Sequence, residues 1–376
     1  HYAAEGTTEF RALLYIPAQA PFDLFMPNAP RGIHLYVKNV YITDDCEALL
    51  PEYLRFVRGV VDSSDLPLNI SREMLQDEVV IRRIRKSLIN KVLGELSDMM
   101  EGSREDYLKF NRQFGRVLKE GVHSDFENHD KLKELVMFPS TKSEDGRPVT
   151  LREYVDRAAA DQKSIYYMTG DSLQTALNSP HLEAFKKKDI EVLLMTDPID
   201  EWVVQRLTDY DGKKLKAVDR GDVDLSELSA EKDEEEEAAS KASGEQLEGL
   251  VKKLESTLGE KVKEVRLSKR LTDSVACLVA EEGAINASME RLMRAMNQDV
   301  PEIKRVLEIN PTHPLTSRLA ELCVAEGVPD ETLKDYADLI LDQALIAEGS
   351  PIQDQSRFTR LVADLMTRAL PEQQGG

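Results

Sequence analysis

Hydrophobic and polar positions alternate at the start of the chain, a pattern typical of β-strands. Strands are predicted over residues 8–17 (TEFRALLYIP), 32–43 (GIHLYVKNVYIT) and 55–61 (RFVRGVV). Further on, the apolar spacing changes to three and four, which predicts an amphipathic helix. The apolar face of this helix consists of Ile81, Ile84, Leu88, Ile89, Val92, Leu93 and Leu96. A strand layer followed by such a helix indicates an α/β or α+β domain.

The next part of the chain predicts a second, smaller α/β unit. Residues 104–140 are polar and charged, and we expect short helices there that connect rather than form a core. Strands are predicted over 163–170 (KSIYYMTG) and 190–198 (IEVLLMTDP), with a helix over 172–189 between them. This order corresponds to one βαβ unit.

An acidic segment divides the chain. Residues 221–237 (GDVDLSELSAEKDEEEE) have almost no apolar mass, which is typical of a solvated linker, with a functional acidic tail as the alternative. A helix and two strands, VKEVRLS and SVACLVA, follow it, and then further helices. The predicted organisation is a large α/β subdomain, a helical connector, a small α/β subdomain, an acidic linker and a mixed α/β C-terminal domain. Their respective ranges are 1–103, 104–140, 141–220, 221–243 and 244–376.

The last two predicted helices each carry an apolar stripe. We expect the first to begin at Asp330 as the N-cap and to stop at Gly349. A hairpin of two short helices has little core of its own, so two copies packed as a four-helix bundle would bury both stripes. The predicted interface residues are Leu333, Ala337, Ile340, Ala344, Phe358, Leu361 and Leu365. The alternative is that both stripes pack onto their own domain.

Composition narrows the class of protein. A length of 376 residues predicts two or three domains, and 41% hydrophobic with 31% charged residues is typical of a soluble globular chain. A net charge of −20 counts against nucleic-acid binding, which needs clustered Lys and Arg. No apolar run reaches the roughly 20 residues of a membrane helix. The cysteines are few, odd in number and far apart, so we expect buried free thiols and no metal site.

The chain lacks the usual catalytic motifs. GxxxxGK, GxGxxG and HExxH are all absent, and no Ser, His and Asp arrangement stands out. One polar segment, residues 62–76 (DSSDLPLNISREMLQ), nevertheless has the chemistry to contact a phosphate. Asn69 can cap a helix whose first turn contains Arg72, where free N–H groups favour an anion, and Gln76 follows one turn later. Such a pair suits a transferring γ-phosphate, and the alternative is a capped helix with a surface salt bridge.

A second candidate site is a methionine stripe. Met289, Leu292, Met293 and Met296 recur at i, i+3, i+4 and i+7, so they share one face of a helix. Methionine adapts to partners of many shapes, which suits a promiscuous binding surface. The alternative is that this stripe belongs to the core.

Several segments closely resemble the heat shock protein 90 chaperones. They are EFRALLYIPAQAPFDLF, LYVKNVYITDDCEALLPEYLRFVRGVVDSSDLPLNISREMLQ, IYYMTG, DPIDEWVVQ and NASMERLMRAMNQDVPEIKRVLEINPTHP. The resemblance runs from residue 8 to near residue 370 and is densest over 35–76. It implies the family's middle domain followed by its C-terminal dimerisation domain, an α/β and α+β multidomain fold that ends in a helical hairpin. The N-terminal ATP-binding domain of the family has no counterpart here, and a chain that opens on His1 is expected to be a fragment.

The resemblance also implies roles for individual residues. Arg72 matches the middle-domain arginine that contacts the ATP γ-phosphate, and Gln76 and Asn69 belong to the same catalytic loop. The general base and the magnesium ligand would lie in the absent domain, so ATP and Mg²⁺ are expected only in the longer, ATP-hydrolysing parent. Trp202, beside Glu201, matches a position implicated in client contact, with a buried core tryptophan as the alternative. The methionine stripe falls on the family's exposed amphipathic helix.

The implied function is that of a dimeric, ATP-driven chaperone that binds non-native or partly folded client proteins. The expected partners are clients, a second copy, its own N-terminal ATP-binding domain and the heat shock protein 70 system, without nucleic acid or membrane. The ending LPEQQGG lacks the acidic peptide of eukaryotic cytosolic members, which indicates a bacterial cytoplasmic member, with a mitochondrial one as the alternative. An energy-coupling module of a topoisomerase or mismatch-repair ATPase, and an ATP-independent holdase, remain open.

Overall fold

The computed structural model describes residues 1–6, 8–26, 32–67, 79–221, 244–281, 283–300, 303–325 and 330–370. The chain divides into two compact units, which we describe separately. The first consists of residues 1–138, 148–156 and 202–211, and the second of 139–147, 157–201 and 212–376. Both mix strands and helices, which confirms the predicted fold class. The five predicted domain boundaries stay predictions, and the acidic segment lies almost wholly outside the described residues.

A five-stranded sheet is the centre of the first unit. Its strands, in spatial order, are Tyr2–Ala4, Phe10–Tyr15, Arg58–Ser63, Ile33–Val37 and Val40–Thr43. Only Arg58–Ser63 and Ile33–Val37 pair in parallel, and the other neighbours are antiparallel. Alternation within Phe10–Tyr15 buries Phe10 and Ala12 and leaves Leu13 and Tyr15 exposed, as the period of two predicts.

The single strand predicted over 32–43 is wrong, because the structure has a hairpin there. Lys38 and Asn39 have φ of 51° and 65°, and this two-residue turn joins Val37 to Val40, which pair with each other. Hairpin turns of this kind need positive φ at both central residues. Asn adopts that conformation readily, but Lys does so rarely, so the alternating pattern continued through the turn without a break.

The helices of the first unit form its apolar core. The long helix Val79–Gly102 buries all seven residues of the predicted stripe, which confirms that prediction. The helix Arg104–Ser124 buries Tyr107, Phe110 and Phe114, and the Phe110 and Phe114 rings lie 5.6 Å apart. The expectation that residues 104–140 only connect is therefore wrong, because a narrow apolar stripe repeats at helical spacing between many charges.

The remaining elements of the first unit are short. They are the 3₁₀ helix Glu52–Leu54, the helix His129–Leu135 and the strands Met137–Phe138, Val149–Thr150 and Asp209–Tyr210. The helices Leu151–Arg157 and Asp200–Val203 contain points where the chain passes from one unit to the other.

The second unit begins with a small parallel sheet. Three strands of this four-stranded sheet belong to the unit, in the order Lys213–Ala217, Ser164–Thr169 and Leu193–Met195, and their parallel pairing confirms the predicted βαβ unit. The helix predicted over 172–189 is broken into three pieces, because Pro180 cannot continue a preceding helix. These pieces are Leu173–Leu177, the 3₁₀ helix Pro180–Leu182 and Glu183–Lys187.

A three-stranded sheet forms the C-terminal part of the second unit. Val306–Ile309 is central, parallel to Glu264–Leu267 and antiparallel to Ala276–Val279. The helices around it are Gly244–Leu258, Ala287–Ala295, Pro314–Val324, Asp330–Glu348 and Gln355–Ala369, with the 3₁₀ turn Gly259–Lys261. The helix Asp330–Glu348 ends just before Gly349, whose φ of 81° suits a glycine stop, as predicted.

A buried arginine attaches residues 218–220 to this sheet. Arg270 donates hydrogen bonds to the carbonyl oxygens of Val218 at 2.6 Å and Arg220 at 2.8 Å. Its Nε also lies 3.0 Å from Oε2 of the buried Glu308. These contacts fix the backbone on both sides of Asp219, a residue of the candidate site described below. Cys46 and Cys277 are buried free thiols, as predicted, whereas Cys323 is only half-buried.

Within the described residues, no helix combines the length and the apolar character needed to cross a membrane.

Candidate functional site

The helix Ala287–Ala295, called the methionine helix below, carries the predicted methionine stripe at an accessible position. None of its nine residues is buried. Met289, Leu292 and Met293 are half-buried, and Met296, at its C-cap, is 53% exposed. A surface helix normally turns its apolar face toward the core. Here three of the four stripe residues are half-buried and only Met296 is largely exposed, so both predictions for the stripe, a client surface and a part of the core, stay predictions.

The start of the methionine helix is held by one buried side chain. Asn286 is the N-cap, and its Oδ1 accepts a hydrogen bond from the backbone N–H of Met289 at 2.8 Å. Its Nδ2 donates to Thr169 Oγ1 at 2.9 Å, with Asp219 Oδ2 at 3.4 Å. Asn286 therefore satisfies a free N–H of the helix and also attaches it to the strand Ser164–Thr169.

Two buried carboxyl groups lie at the base of the same helix. Burial raises the pKa of Glu201, and hydrogen bonds from Thr169 and Ser288 oppose that rise. Burial likewise raises the pKa of Asp219. The structure thus brings the predicted residue Glu201 against the first turn of the methionine helix. Glu201 is only 5% exposed, so it contacts the helix from within the domain and offers no surface to a partner.

A small polar cavity lies between these groups. Its volume is about 30 Å³, and Thr169, His181, Asp219 and Asn286 are among its lining residues. Burial, and secondarily the nearby Arg270, lowers the pKa of His181 to about 3, so its ring is neutral. A space of this size accommodates about one water molecule. This cavity is therefore too small for an organic ligand.

Trp202, the predicted client contact, belongs to the first unit. Its ring is half-buried and meets the His123 ring edge-on, with the centroids 5.8 Å apart at an interplanar angle of 61°. Arg206 stacks over the ring of Phe126 at 5.1 Å, and Phe126 is 67% exposed. Trp202 is therefore not a fully buried core residue, and part of its ring remains at the surface.

The predicted dimer-interface residues on the helix Asp330–Glu348 lie inside their own domain. Leu333, Ala337, Ile340 and Ala344 are at most 6% exposed. Ala337, Ile340 and Ala344 belong to the same apolar core as Leu250 and Leu307. These four residues therefore pack onto their own domain, which is the alternative that the sequence left open, while Ile346 of the same helix is 49% exposed.

The apolar stripe of the second helix of the hairpin, Gln355–Ala369, is less buried than that of the first. Leu361 is buried, whereas Phe358 and Leu365 are only half-buried and Met366 is 66% exposed. Arg357 joins the two helices through one guanidinium nitrogen, which lies 2.8 Å from Asp335 Oδ1 and 2.8 Å from Asp338 Oδ2. The apolar surface that remains on the hairpin thus includes Met366 on the second helix and Ile346, 49% exposed, on the first.

The predicted catalytic loop is outside the described residues. Asn69, Arg72 and Gln76 all fall within residues 68–78. Their roles stay predictions.

The sequence reasoning missed an exposed apolar loop in the first unit. Phe22 is 88% exposed, and Phe25 and Met26 are about half exposed. The guanidinium of Arg116 lies 4.9 Å from the centroid of the Phe25 ring. The signal was two phenylalanines in a proline-flanked segment, APFDLFMP, that has neither a helical nor a strand period. Such a patch on a surface loop commonly marks an interaction site.

Comparisons with known proteins identify the family. A family profile described as Hsp90 protein matches residues 1–375. Chaperone protein HtpG of Geobacter metallireducens is 57% identical over 366 residues, which cover 97% of this chain and 56% of that protein. HtpG of Geobacter sulfurreducens has the same identity and coverage, and HtpG of Mycolicibacterium gilvum is 49% identical over 98% of this chain and 56% of its own length.

This chain thus spans 56% of the length of these relatives. All three relatives are bacterial, and the matches extend over both compact units. The chain therefore belongs to the Hsp90 protein family and is a bacterial-type member of it.

Proposed function

We propose that this chain is the middle and C-terminal part of an ATP-dependent chaperone, and that the methionine helix binds non-native segments of client proteins. The main support is the open apolar stripe, Met289, Leu292, Met293 and Met296, on a helix with no buried residue. Flexible methionine side chains can repack around clients of different shape. The half-buried Trp202 and the exposed loop that contains Phe22, both in the first unit, are proposed as separate apolar contacts for clients.

In this proposal the nucleotide and its Mg²⁺ are bound by a part of the longer protein that this chain does not contain. Arg72 would contact the γ-phosphate, with Gln76 and Asn69 in the same loop, and this chain alone would not hydrolyse ATP. An arginine that stabilises the developing charge lowers the barrier to transfer without binding the whole nucleotide. The chaperone name of the HtpG relatives supports this proposal.

The proposed chaperone acts as a homodimer in the bacterial cytoplasm. The half-buried Phe358 and Leu365, with the exposed Met366, supply the apolar surface for a second copy. Pairing two such surfaces removes an aggregation hazard from each. The heat shock protein 70 system is a further proposed partner. A net charge of −20 argues against a function on nucleic acid.

The binding surface can be tested with the double variant Met289→Ser, Met293→Ser. The probe is reduced, carboxymethylated α-lactalbumin, a permanently unfolded chain, and the measurement is fluorescence anisotropy. Losing two side chains that each contribute about 1 kcal/mol when a client covers them weakens binding about tenfold or more. The control is Val324→Ser, a more exposed apolar residue (68%) at the end of Pro314–Val324 that lies outside the stripe. Unchanged affinity in a folded double variant would refute the proposed surface.

The dependence on ATP is tested in the longer protein that contains the nucleotide-binding part. Arg72→Ala should lower hydrolysis strongly while ATP affinity stays nearly constant, because the arginine acts in the transition state. Client release that proceeds equally well without ATP would favour the ATP-independent holdase instead.

A further inference from the structure

The methionine helix is attached to its domain by its polar face. On a helical wheel, Glu290, Arg291 and Arg294 lie opposite the apolar stripe. No residue of the helix is fully buried, and its apolar residues Met289, Leu292 and Met293 are half-buried. The N-cap and the charged side chains supply further, directional contacts to the domain.

Arg305 is the residue that Glu290 meets. It directly precedes the strand Val306–Ile309, and its side chain is only 8% exposed. One guanidinium nitrogen donates to Oε2 of Glu290 on the methionine helix. Another donates at 2.5 Å to Oε1 of Glu348, the last residue of Asp330–Glu348. Both carboxylates are themselves largely buried, with side-chain exposures of 14% and 9%.

Arg291 makes a second contact between the methionine helix and the end of Asp330–Glu348. Arg291 donates from one guanidinium nitrogen to the backbone carbonyl oxygen of Glu348 at 3.1 Å, and from the other to Asp171 Oδ1 at 3.2 Å. Arg294 also pairs with Glu290, but its side chain is 56% exposed. Exposed ion pairs of this kind contribute little to stability. Removing one partner of a buried ion pair, in contrast, leaves the other charge buried without compensation.

We propose that Arg305 is a positioning residue that holds the methionine helix by its polar face and connects it to the end of Asp330–Glu348. The functional meaning of this assignment rests on the proposed client-binding role of the helix. The rival interpretation is that Arg305 merely stabilises the C-terminal domain. The arrangement also supplies a direct physical link between the terminal hairpin and the client surface, because one guanidinium contacts both helices.

The test compares two arginines that share one carboxylate. Arg305→Gln removes the buried partner of Glu290, and Arg294→Gln removes the exposed one. Hydrogen exchange in the full chain should become about 100-fold faster or more over the amides of the methionine helix in Arg305→Gln, the scale for loss of one partner of a buried ion pair. Arg294→Gln should leave it unchanged. Arg305→Lys, which keeps the charge but cannot reach both carboxylates at once, should fall between them.

Two further readouts separate positioning from general stability. Exchange over Val306–Ile309 should change far less in Arg305→Gln than exchange over the methionine helix, and equal acceleration in both would overturn the proposal.

Binding of carboxymethylated α-lactalbumin should weaken in Arg305→Gln and recover in part in Arg305→Lys. If Met289→Ser, Met293→Ser weakens binding but Arg305→Gln does not, the positioning role is refuted and the client surface stands. If the methionine double variant binds normally, the client surface fails, and the exchange data alone decide whether Arg305 holds the helix.

Discussion

The methionine helix and the helix Asp330–Glu348 carry similar apolar stripes, yet they use them in opposite ways. In Asp330–Glu348 the stripe is buried in its own domain, with Ala337, Ile340 and Ala344 at most 2% exposed. In the methionine helix no residue is buried, and the polar face makes the buried contacts. Both helices meet at Arg305, which contacts Glu290 on one and Glu348 on the other.

The difference lies in the side chains between the large apolar residues. The buried stripe alternates alanine with isoleucine and leucine, and small residues allow a helix to approach the strand Ala276–Val279 closely. The methionine helix has no small residue within its stripe, and three of the four members are methionine. The spacing of apolar residues indicates that a helix is amphipathic. Which face is buried depends on the sizes of the residues and on the groups with which the charged side chains pair.

The largest expected effect comes from a serine substitution in the buried stripe of Asp330–Glu348. Ile340→Ser removes a side chain that is 2% exposed and buries a hydroxyl, so the free energy of unfolding should fall by about 4 kcal/mol. The measurement is urea-induced unfolding, followed by hydrogen exchange over Ala276–Val279. A cost below about 1 kcal/mol would place this stripe at a surface and remove the contrast between the two helices.

A change of pH should act where the two helices meet. Burial raises the pKa of Glu348 to about 7 despite the opposing Arg305, Ser350 and Arg291, and the nearby Glu290 adds to the rise. Between the ordinary value of 4.5 and about 7, the folded chain holds this proton more tightly than the unfolded chain does. The free energy of unfolding should therefore fall as the pH rises through this window, by about 1–3 kcal/mol.

The variant Glu348→Gln isolates this contribution, because Glu201 and Asp219 also have raised pKa values and change stability in the same direction. Melting temperatures of the parent and of Glu348→Gln should converge or cross as the pH varies, with a flatter profile for the variant. Parallel profiles across the window would show that Glu348 does not titrate there.

The sequence predicts those elements of the fold in which apolar residues recur at a regular spacing along a short stretch of chain. The apolar stripe of Val79–Gly102 and the strands Phe10–Tyr15 and Ser164–Thr169 are recognisable because burial of one face imposes a repeat on neighbouring residues. The Lys38–Asn39 turn was missed because no glycine marks it, although both residues have positive φ. The aromatic stripe of Arg104–Ser124 was missed because charged neighbours dominate its composition.

The candidate site was predictable only in part, and for a different reason. The members of the methionine stripe are neighbours on one helix, so their spacing alone places them together. Its orientation depends on contacts between residues distant in the chain. Asn286 and Thr169 are 117 residues apart, and Arg305 and Glu348 are 43 residues apart. No local pattern encodes these pairs, so the sequence could not show that the polar face makes buried ion pairs with the rest of the domain.

A smaller effect is expected from the N-cap of the methionine helix. Asn286→Ala removes the acceptor for the Met289 N–H and the donor to Thr169, and should cost about 1 kcal/mol. Opening of the methionine helix, measured by hydrogen exchange, should rise about fivefold. The matched change at the hairpin is Asp354→Ala, which removes the cap of Gln355–Ala369 and should accelerate exchange only there. Equal responses of both helices to either variant would mean that they open as one unit.

The smallest change in stability is expected at the centre of the open stripe. Met293 is half-buried on a helix that has no fully buried residue, so Met293→Ser should lose less packing than Ile340→Ser. We expect the free energy of unfolding to change by less than about 0.5 kcal/mol, as for most surface substitutions. The measurement is the same urea titration used for Ile340→Ser, which makes the two serine variants a direct comparison of the two stripes. A loss for Met293→Ser as large as that for Ile340→Ser would show that the methionine face is packed in solution, and the helix would then have to turn over before it could bind a client.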